Sequence, residues 1–295
     1  MEIETVSIII PCYNCTLYIE RLFKSILFQD YKYIEIIAID DGSNDSTLEL
    51  LNSYNIEFIK KGYTYKVIHQ ENQGVSSTIN NGLKLVSGSY LLWPDIDDWF
   101  ENETTISKMV TALQTHPNYN CVRVLTNYVD EKTFEKKPIT PSKIKEDLFY
   151  DFIYWNDNIW TPAGSHMIRL NALFNSLKEK NIYVSKNIGQ SYQLLLPILY
   201  GNKCYTIEEY LYNILVRKGS HSRGQYSKCK SKIQRWNESS EMLKSVISSI
   251  SDINNIEKKR LIKFINKRYN SYNYKIALRH YNFILAIKYY IKSLS

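Results

Sequence analysis

Two acidic clusters, each placed directly after an apolar run, constrain this chain more than any other feature. Asp40-Asp41 closes the run Ile34 to Ile39, and Asp95-Ile96-Asp97-Asp98 follows Tyr90 to Pro94. A carboxylate at the end of a buried strand is costly unless a cation or hydrogen-bond donors hold it. Hard oxygen donors in that position suit a divalent metal together with a phosphorylated ligand.

The rest of the first 130 residues explains how such clusters could meet. Val6 to Ile10 is a β-branched run ended by Pro11, and Leu17, Ile19, Leu22, Phe23, Ile26 and Leu27 then recur at helical spacing. Ile34 to Ile39, Tyr65 to Ile68, Tyr90 to Trp93 and Cys121 to Tyr128 read as further strands. Helices are expected around Leu48 to Leu51, from Val75 to Leu85 before Gly88, and from Thr104 to Leu113. Ser46 or Asp45 can cap the first of these. Alternating strands and helices predict an α/β fold with a mainly parallel sheet covered on both faces. In such sheets ligands sit beyond the carboxyl ends of the strands. Pro11 to Asn14, Asp40-Asp41, His69 to Gly74 and Asp95 to Asp98 all follow strands, so the pattern predicts one shared crevice and suggests a nucleotide-dependent transferase.

Composition narrows the alternatives. With 295 residues, 44% of them hydrophobic, the chain can bury one large core or two moderate ones. No apolar run approaches the roughly 18 residues a membrane span needs, and Glu2 and Glu4 do not resemble a signal peptide, so a cytoplasmic location is expected. The five cysteines suggest reduced thiols. Cys12 and Cys15 form a C-x-x-C, but with no second close pair they read as small buried residues, not half a zinc site. Charge is uneven: the formal total is +7, yet Lys228 to Ser295 carries fifteen basic and four acidic residues, which leaves the first 227 slightly acidic.

At this point the residues carry a family resemblance. Val6-Ser7-Ile8-Ile9-Ile10-Pro11-Cys12-Tyr13-Asn14, Ile39-Asp40-Asp41-Gly42-Ser43-Asn44-Asp45-Ser46, Gly74-Val75-Ser76 through Asn80-Asn81-Gly82-Leu83, and Asp95-Ile96-Asp97-Asp98-Trp99-Phe100 resemble family 2 glycosyltransferases of the GT-A fold in order and spacing. A weaker likeness continues through Trp160 to Arg169, Ile188 to Tyr200 and Tyr210 to Arg223. The resemblance implies a catalytic domain over 1–225, with a nucleotide-sugar half at 1–115 and an acceptor half at 116–225, before a basic helical region at 226–295. It implies inverting transfer from a nucleotide-diphospho-sugar, a UDP-sugar being favoured, to a glycan or lipid-linked glycan in capsule or lipopolysaccharide synthesis.

Residue by residue, the resemblance places Pro11, Tyr13 and Asn14 in the nucleotide pocket and Asp41 on the base, with Gly74, Asn80, Asp95, Ile96 and Asp97 completing the donor site. The alternative reading of Asp41 is a turn or helix cap shared with Asp45. Side chains two apart in an extended segment point the same way, so one of Asp95 and Asp97 can meet the ribose or a metal-bound water while the other binds Mn²⁺ or Mg²⁺, with Asp97 as the direct ligand. His221 is a second candidate ligand, and Arg217 and Arg223 are candidate phosphate partners. Two departures stand out. Ile79 occupies a position where similar enzymes carry Arg. Gly189-Gln190-Ser191 replaces the Glu-Asp whose Asp acts as general base, and neither Gln190 nor Ser191 can take a proton near neutral pH. Asp151, Asp157, His166, Glu208 and Glu209 are the substitute candidates, and loss of transfer activity is the remaining explanation.

Tyr154, Trp155 and Trp160 are candidate sugar platforms or core residues. The C-terminal region reads as an amphipathic helix pair packed on the catalytic domain. Its cationic face suits peripheral contact with an anionic membrane, aided by Tyr281 to Leu294. A catalytically silent nucleotide-sugar-binding protein would explain the missing base. A nucleic-acid partner is not expected, because acidic clusters at strand ends repel phosphate, and a Rossmann dehydrogenase lacks its glycine fingerprint here.

Overall fold

A computed structural model of the protein describes residues 4–141, 143–154, 162–177, 180–185, 188–217 and 228–294. Asp157, His221, Trp155, Trp160 and Arg223 lie outside the described residues.

The chain runs β1 (Val6–Cys12), α1 (Ile19–Leu27), β2 (Ile34–Asp41), α2 (Thr47–Ser53), α3 (Asn55–Lys60), β3 (Thr64–Gln70), α4 (Val75–Leu83) and β4 (Tyr90–Leu92). It continues β5 (Trp99–Phe100), α5 (Thr105–Thr115), β6 (Tyr119–Asp130), β7 (Lys136–Ile139), α6 (Phe149–Tyr154), β8 (His166–Arg169), α7 (Leu170–Ser176), α8 (Ser191–Leu199) and β9 (Lys203–Val216). Three helices follow: α9 (Cys229–Ser249), α10 (Asn255–Arg279) and α11 (Phe283–Leu294).

The described strands form one sheet in the order β3-β2-β1-β4-β8-β6-β9-β5, with β7 added to β6. The long ladders, β1–β2, β2–β3 and β6–β9, are parallel, as the alternation predicts. The short ladders β4–β8, β6–β8, β5–β9 and β6–β7 are antiparallel, and all involve strands from residue 119 onward. The two-residue period of the β-branched runs sorts side chains onto the two faces. Ile9, Ile37, Ile39 and Leu91 enter one core, packed against α4, α7, α8, α9 and α10. Ile8, Ile10, Ile36, Ala38 and Leu92 enter the other, packed against α1, α3 and α5. α1 meets this second core with Ile19, Leu22, Phe23 and Ile26, the i, i+3, i+4, i+7 stripe of a surface helix. α4 approaches β1 so closely that a Cβ on Gly82 would lie 2.6 Å from Ile9 Cγ2.

The basic C-terminal region is continuous with the first core. Met242, Leu243, Val246 and Ile247 of α9 and Leu261, Ile265 and Tyr269 of α10 are buried together with Leu194, Leu195 and Ile198 of α8. Each fully buried Leu or Ile contributes about 2 kcal/mol, so this seam is a substantial part of the fold's stability. Glu257, at the start of α10, accepts hydrogen bonds from Tyr200 Oη (2.9 Å) and from Tyr150. The expected helix pair therefore packs against α8 and α6, and α11 is a third helix beyond it. Among the described residues no helix is long and apolar enough to cross a membrane.

Candidate active site

Because β3, β2, β1 and β4 run parallel, their carboxyl ends share one edge of the sheet. Cys12 is in register with Asp40, and Asp40 and Asp41 with His69 and Gln70. Leu92, the last residue of β4, is in register with Ile8, and three residues later the chain reaches Asp95. Asp41 and the Asp95/Asp97 pair are thus delivered to the same edge.

Side-chain hydrogen bonds then join the loops at that edge. Asn14, at a left-handed φ of 46°, accepts from the Asn44 N–H (2.9 Å), while its own N–H donates to Ser43 Oγ (2.9 Å). Thr16 Oγ1 donates to Asp45 Oδ2 (2.7 Å), and Asp45 Oδ1 accepts from the Thr47 N–H (3.0 Å) as α2 begins. Asp45 thus holds the first residue of α2, whose N-cap residue is Ser46, and ties the post-β1 and post-β2 loops together. Pro11 is the penultimate residue of β1, which runs on to Cys12, and Tyr13 is exposed just beyond, 52% accessible. A ring on that hydrogen-bonded turn has a face open for stacking against a flat ligand.

Asp41 is buried, and both its oxygens are engaged. Oδ1 accepts from Gln70 Nε2 (2.7 Å) and the Gln73 N–H (2.9 Å), and Oδ2 from the Gly74 N–H (2.8 Å). Gln70 in turn accepts from Asn81 Nδ2 (2.7 Å). In this state Asp41 organises the loop from Gln70 to Gly74 in the manner of a cap. Gly74 sits at φ 87°, ψ 163°, a backbone region essentially confined to glycine, and starts α4. Gln70 was not singled out in the sequence, although its place at the end of β3 opposite Asp41 is the signal that marks it. Asp40 is fully buried and pairs with His69 Nδ1 (2.7 Å).

Asn80 differs from the expected donor contact. Its Nδ2 donates to Ile182 O (2.9 Å) and its Oδ1 accepts from the Ile182 N–H (2.8 Å), so the carboxamide locks α4 to the segment before α8 instead of facing a ligand. Ile79 is fully buried in the first core, which accounts for an apolar residue there.

The second acidic cluster divides its labour. Asp98 is buried and accepts from the Leu215 N–H (3.0 Å), anchoring the turn to β9. Burial first, then Asp95 and Asp97, push its carboxyl well above the usual range. Ile96 is half-buried between the two outward acids and packs at the margin of the second core. Asp97 Oδ2 accepts from Arg217 Nε (2.8 Å), and the Arg217 guanidinium lies 4.7 Å from the centre of the Tyr18 ring. Asp95 is open to the cleft yet enclosed by protein on its other sides. That enclosure, and then the neighbouring Asp97, raise its carboxyl to about 7, partly offset by Gln190 Nε2, which donates to Asp95 Oδ1 (3.3 Å).

Gln190 and Ser191 stand at the N-terminus of α8, facing Asp95 and Trp93; Trp93 Nε1 donates to Ser191 Oγ (3.4 Å). They border a cavity of about 470 Å³ whose floor includes Asp95, the only acidic side chain among the described residues that line it. Among the described residues, the substitute candidates do not line this cavity. Asp151 is buried in an ion pair with Lys145 (2.7 Å) on α6. His166 is buried in β8, its Nδ1 beside Ser165 Oγ (2.9 Å), and burial lowers its pKa to about 3. Glu208 and Glu209 are exposed at the irregular stretch of β9, where Glu209 pairs with Lys108.

No group of three or more His, Cys, Asp or Glu side chains converges on a metal position among the described residues. Two outward carboxylates at a cleft nevertheless fit a cation of the Mg²⁺ or Mn²⁺ type, which takes one or two protein carboxylates and completes its shell with substrate phosphates and water. Asp97 and Asp95 are the residues that would hold it.

Comparison with known proteins identifies the fold and the family. Structures similar to this chain include residues 1–349 of Staphylococcus aureus TarS in complex with UDP-GlcNAc, with a TM-score of 0.65 and 17% identity over 92% of this chain and 74% of that one. The mannosyltransferase PcManGT of Pyrobaculum calidifontis, in complex with GDP-Man and Mn²⁺, gives a TM-score of 0.58 and 14% identity over 99% and 87%. These likenesses establish the GT-A fold. Among curated relatives, the glycosyltransferase GlyA of Streptococcus pneumoniae is 28% identical over 233 residues, 75% of this chain but only 32% of GlyA. An uncharacterised glycosyltransferase of Rickettsia prowazekii is 43% identical over 150 residues, 48% of this chain and 44% of the relative. The chain thus spans less than half the length of either. The model of glycosyl transferase family 2 matches residues 7–177, more than half of the chain, and the protein belongs to that family.

Proposed function

We propose that the protein transfers a sugar, with inversion, from a nucleotide-diphospho-sugar, a UDP-sugar being favoured, to a glycan or lipid-linked glycan of a bacterial surface polysaccharide such as capsule or lipopolysaccharide. The observation that carries this reading is the meeting, at one edge of a parallel sheet, of the loop organised by Asp41 with the outward pair Asp95 and Asp97, beside a cavity large enough for a sugar. The TarS complex with UDP-GlcNAc supports the choice of UDP.

On this reading Tyr13 stacks on the base and the Gly74 turn lets the backbone approach the nucleotide. Asp97 and Asp95 hold the cation, which when bound neutralises charge that develops on the departing diphosphate. Arg217, which donates to Asp97 Oδ2, would pair with phosphate oxygens of the donor. His221 remains a proposed second ligand. The cavity beyond Asp95 receives the acceptor, and the protein works in the cytoplasm. On α11, Ile284, Ile287, Ile291 and Leu294 form an exposed apolar stripe interleaved with Lys288 and Lys292, which supports peripheral contact with an anionic membrane surface.

A second reading, a silent nucleotide-sugar-binding protein, is favoured by Gln190 in the position where the resemblance places the base. One experiment separates the two. Melting is followed with UDP-, GDP-, CMP- and dTDP-sugars plus Mn²⁺, and nucleotide release is then measured with the best ligand. Stabilisation with turnover supports transfer, stabilisation without turnover supports silent binding, and no stabilisation by any donor rejects both.

A further inference from the structure

The buried stripe of α9 does not stay buried along its length. Its C-terminal half, Met242, Leu243, Val246 and Ile247, enters the first core. One and two turns earlier the same face presents Trp236 and Ser239 to the cavity that has Asp95 and Gln190 on its opposite side, with Tyr192 and Tyr269 between them. The spacing 236, 239, 243 is one helical face, so a single amphipathic pattern both docks α9 and leaves a void beneath its middle turns.

The void has the character of a ligand site and not of a packing defect. Its volume, about 470 Å³, lies within the range of small-molecule sites, and it combines aromatic walls with a few polar groups. The Trp236 ring is braced by two others, Tyr269 with centroids 5.6 Å away and Tyr272 at 5.2 Å. A ring held in that way is a preformed platform for a flat apolar surface, and the apolar face of a pyranose is such a surface. The polar counterparts, Gln190, Ser239 and the Asp95 carboxylate, suit the hydroxyls at the ring's edge. None of α9 or α10 falls in the segment matched by the family model, residues 7–177.

Resting on the glycosyl-transfer reading above, we propose that α9 supplies the acceptor-recognition wall: a saccharide acceptor lies with its ring against Trp236, its hydroxyls toward Ser239 and Gln190, and one edge facing Asp95. Acceptor choice is then set from the C-terminal helices, while donor binding is set from the strand ends of the amino-terminal half.

The test separates acceptor from donor binding in the full-length chain. Ser239→Trp fills the cavity and Trp236→Ala removes the platform, while Trp236→Phe keeps an aromatic face. A panel of octyl glycosides serves as acceptors, with UDP-GlcNAc, UDP-glucose and UDP-galactose as donors, and stabilisation by UDP with Mn²⁺ reports both folding and the donor site. Ser239→Trp and Trp236→Ala are expected to raise the acceptor KM by about tenfold or more, Trp236→Phe to recover most of the loss, and the UDP–Mn²⁺ melting shift to persist in all three. An acceptor KM unchanged in both Ser239→Trp and Trp236→Ala overturns the proposal, as does a parallel loss of the UDP–Mn²⁺ shift in properly folded variants. Absence of that shift in the unaltered protein would instead remove the nucleotide-sugar reading on which the proposal rests.

Discussion

Replacing Asp41 by Ala offers a sharp test of how the nucleotide loop is built. In the folded protein its carboxylate accepts from Gln70 Nε2 at 2.7 Å, the Gln73 N–H at 2.9 Å and the Gly74 N–H at 2.8 Å. Alanine removes the acceptor from all three donors. Leaving a buried donor without a partner costs about 1–3 kcal/mol, and water can reach part of this loop, so about 1 kcal/mol for each donor, or about 3 kcal/mol together, is the expected loss. For a chain of this size that corresponds to a fall in Tm of about 5 °C. Differential scanning calorimetry of the ligand-free protein measures it, and titration with UDP and with Mn²⁺ alone adds the functional side. Nucleotide binding should weaken more than cation binding, because the loop from Gln70 to Gly74 loses its order while Asp97 keeps its place. A variant that melts within about 2 °C of the parent would refute the reasoning, since three charge-assisted contacts cannot be removed from a buried side chain at so little cost.

Asp97→Ala should abolish cation-dependent transfer and Mn²⁺ binding, read by electron paramagnetic resonance. Its ion pair with Arg217 is partly exposed, so the fold should lose no more than about 1 kcal/mol; retained Mn²⁺ binding would show that the cation sits elsewhere. Gly74→Ala forces a side chain onto a backbone that only glycine adopts readily, and an expected cost of about 2 kcal/mol is measurable by urea denaturation. The buried His166 ring, its pKa lowered to about 3 from 6.5 chiefly by burial and then by Arg123, stays neutral in the folded protein while the unfolded chain protonates. Its contribution to stability is therefore complete above pH 6.5 and lost progressively as pH falls toward 3, so His166→Gln should flatten the acid limb of a stability–pH curve. An unchanged acid limb would mean that the ring is not excluded from solvent as described.

The local pattern was legible because it depends on side chains a few residues apart. Apolar runs marked β1, β2 and β3, the apolar stripe defined α1, and the acidic pairs marked the strand ends that carry the candidate site. Short pieces left no such trace: α3, β5 and β7 hold too few residues for a period to show, and β5 exists because Trp99 and Phe100 find β9 as a partner.

What the chain alone determined, then, was the amino-terminal α/β half, its parallel strands and the acids at their ends. Tertiary structure decided which of those polar groups face a ligand. Asn80 is consumed by Ile182, Asp98 by Leu215 and Asp41 by its own loop, partners 102, 117 and at most 33 residues away. Hydrogen-bond partners that distant are chosen by packing, not by local spacing. The same holds for α9, whose helical stripe was readable, whereas the cavity beneath Trp236 exists only because α8 and α10 hold that helix above Asp95.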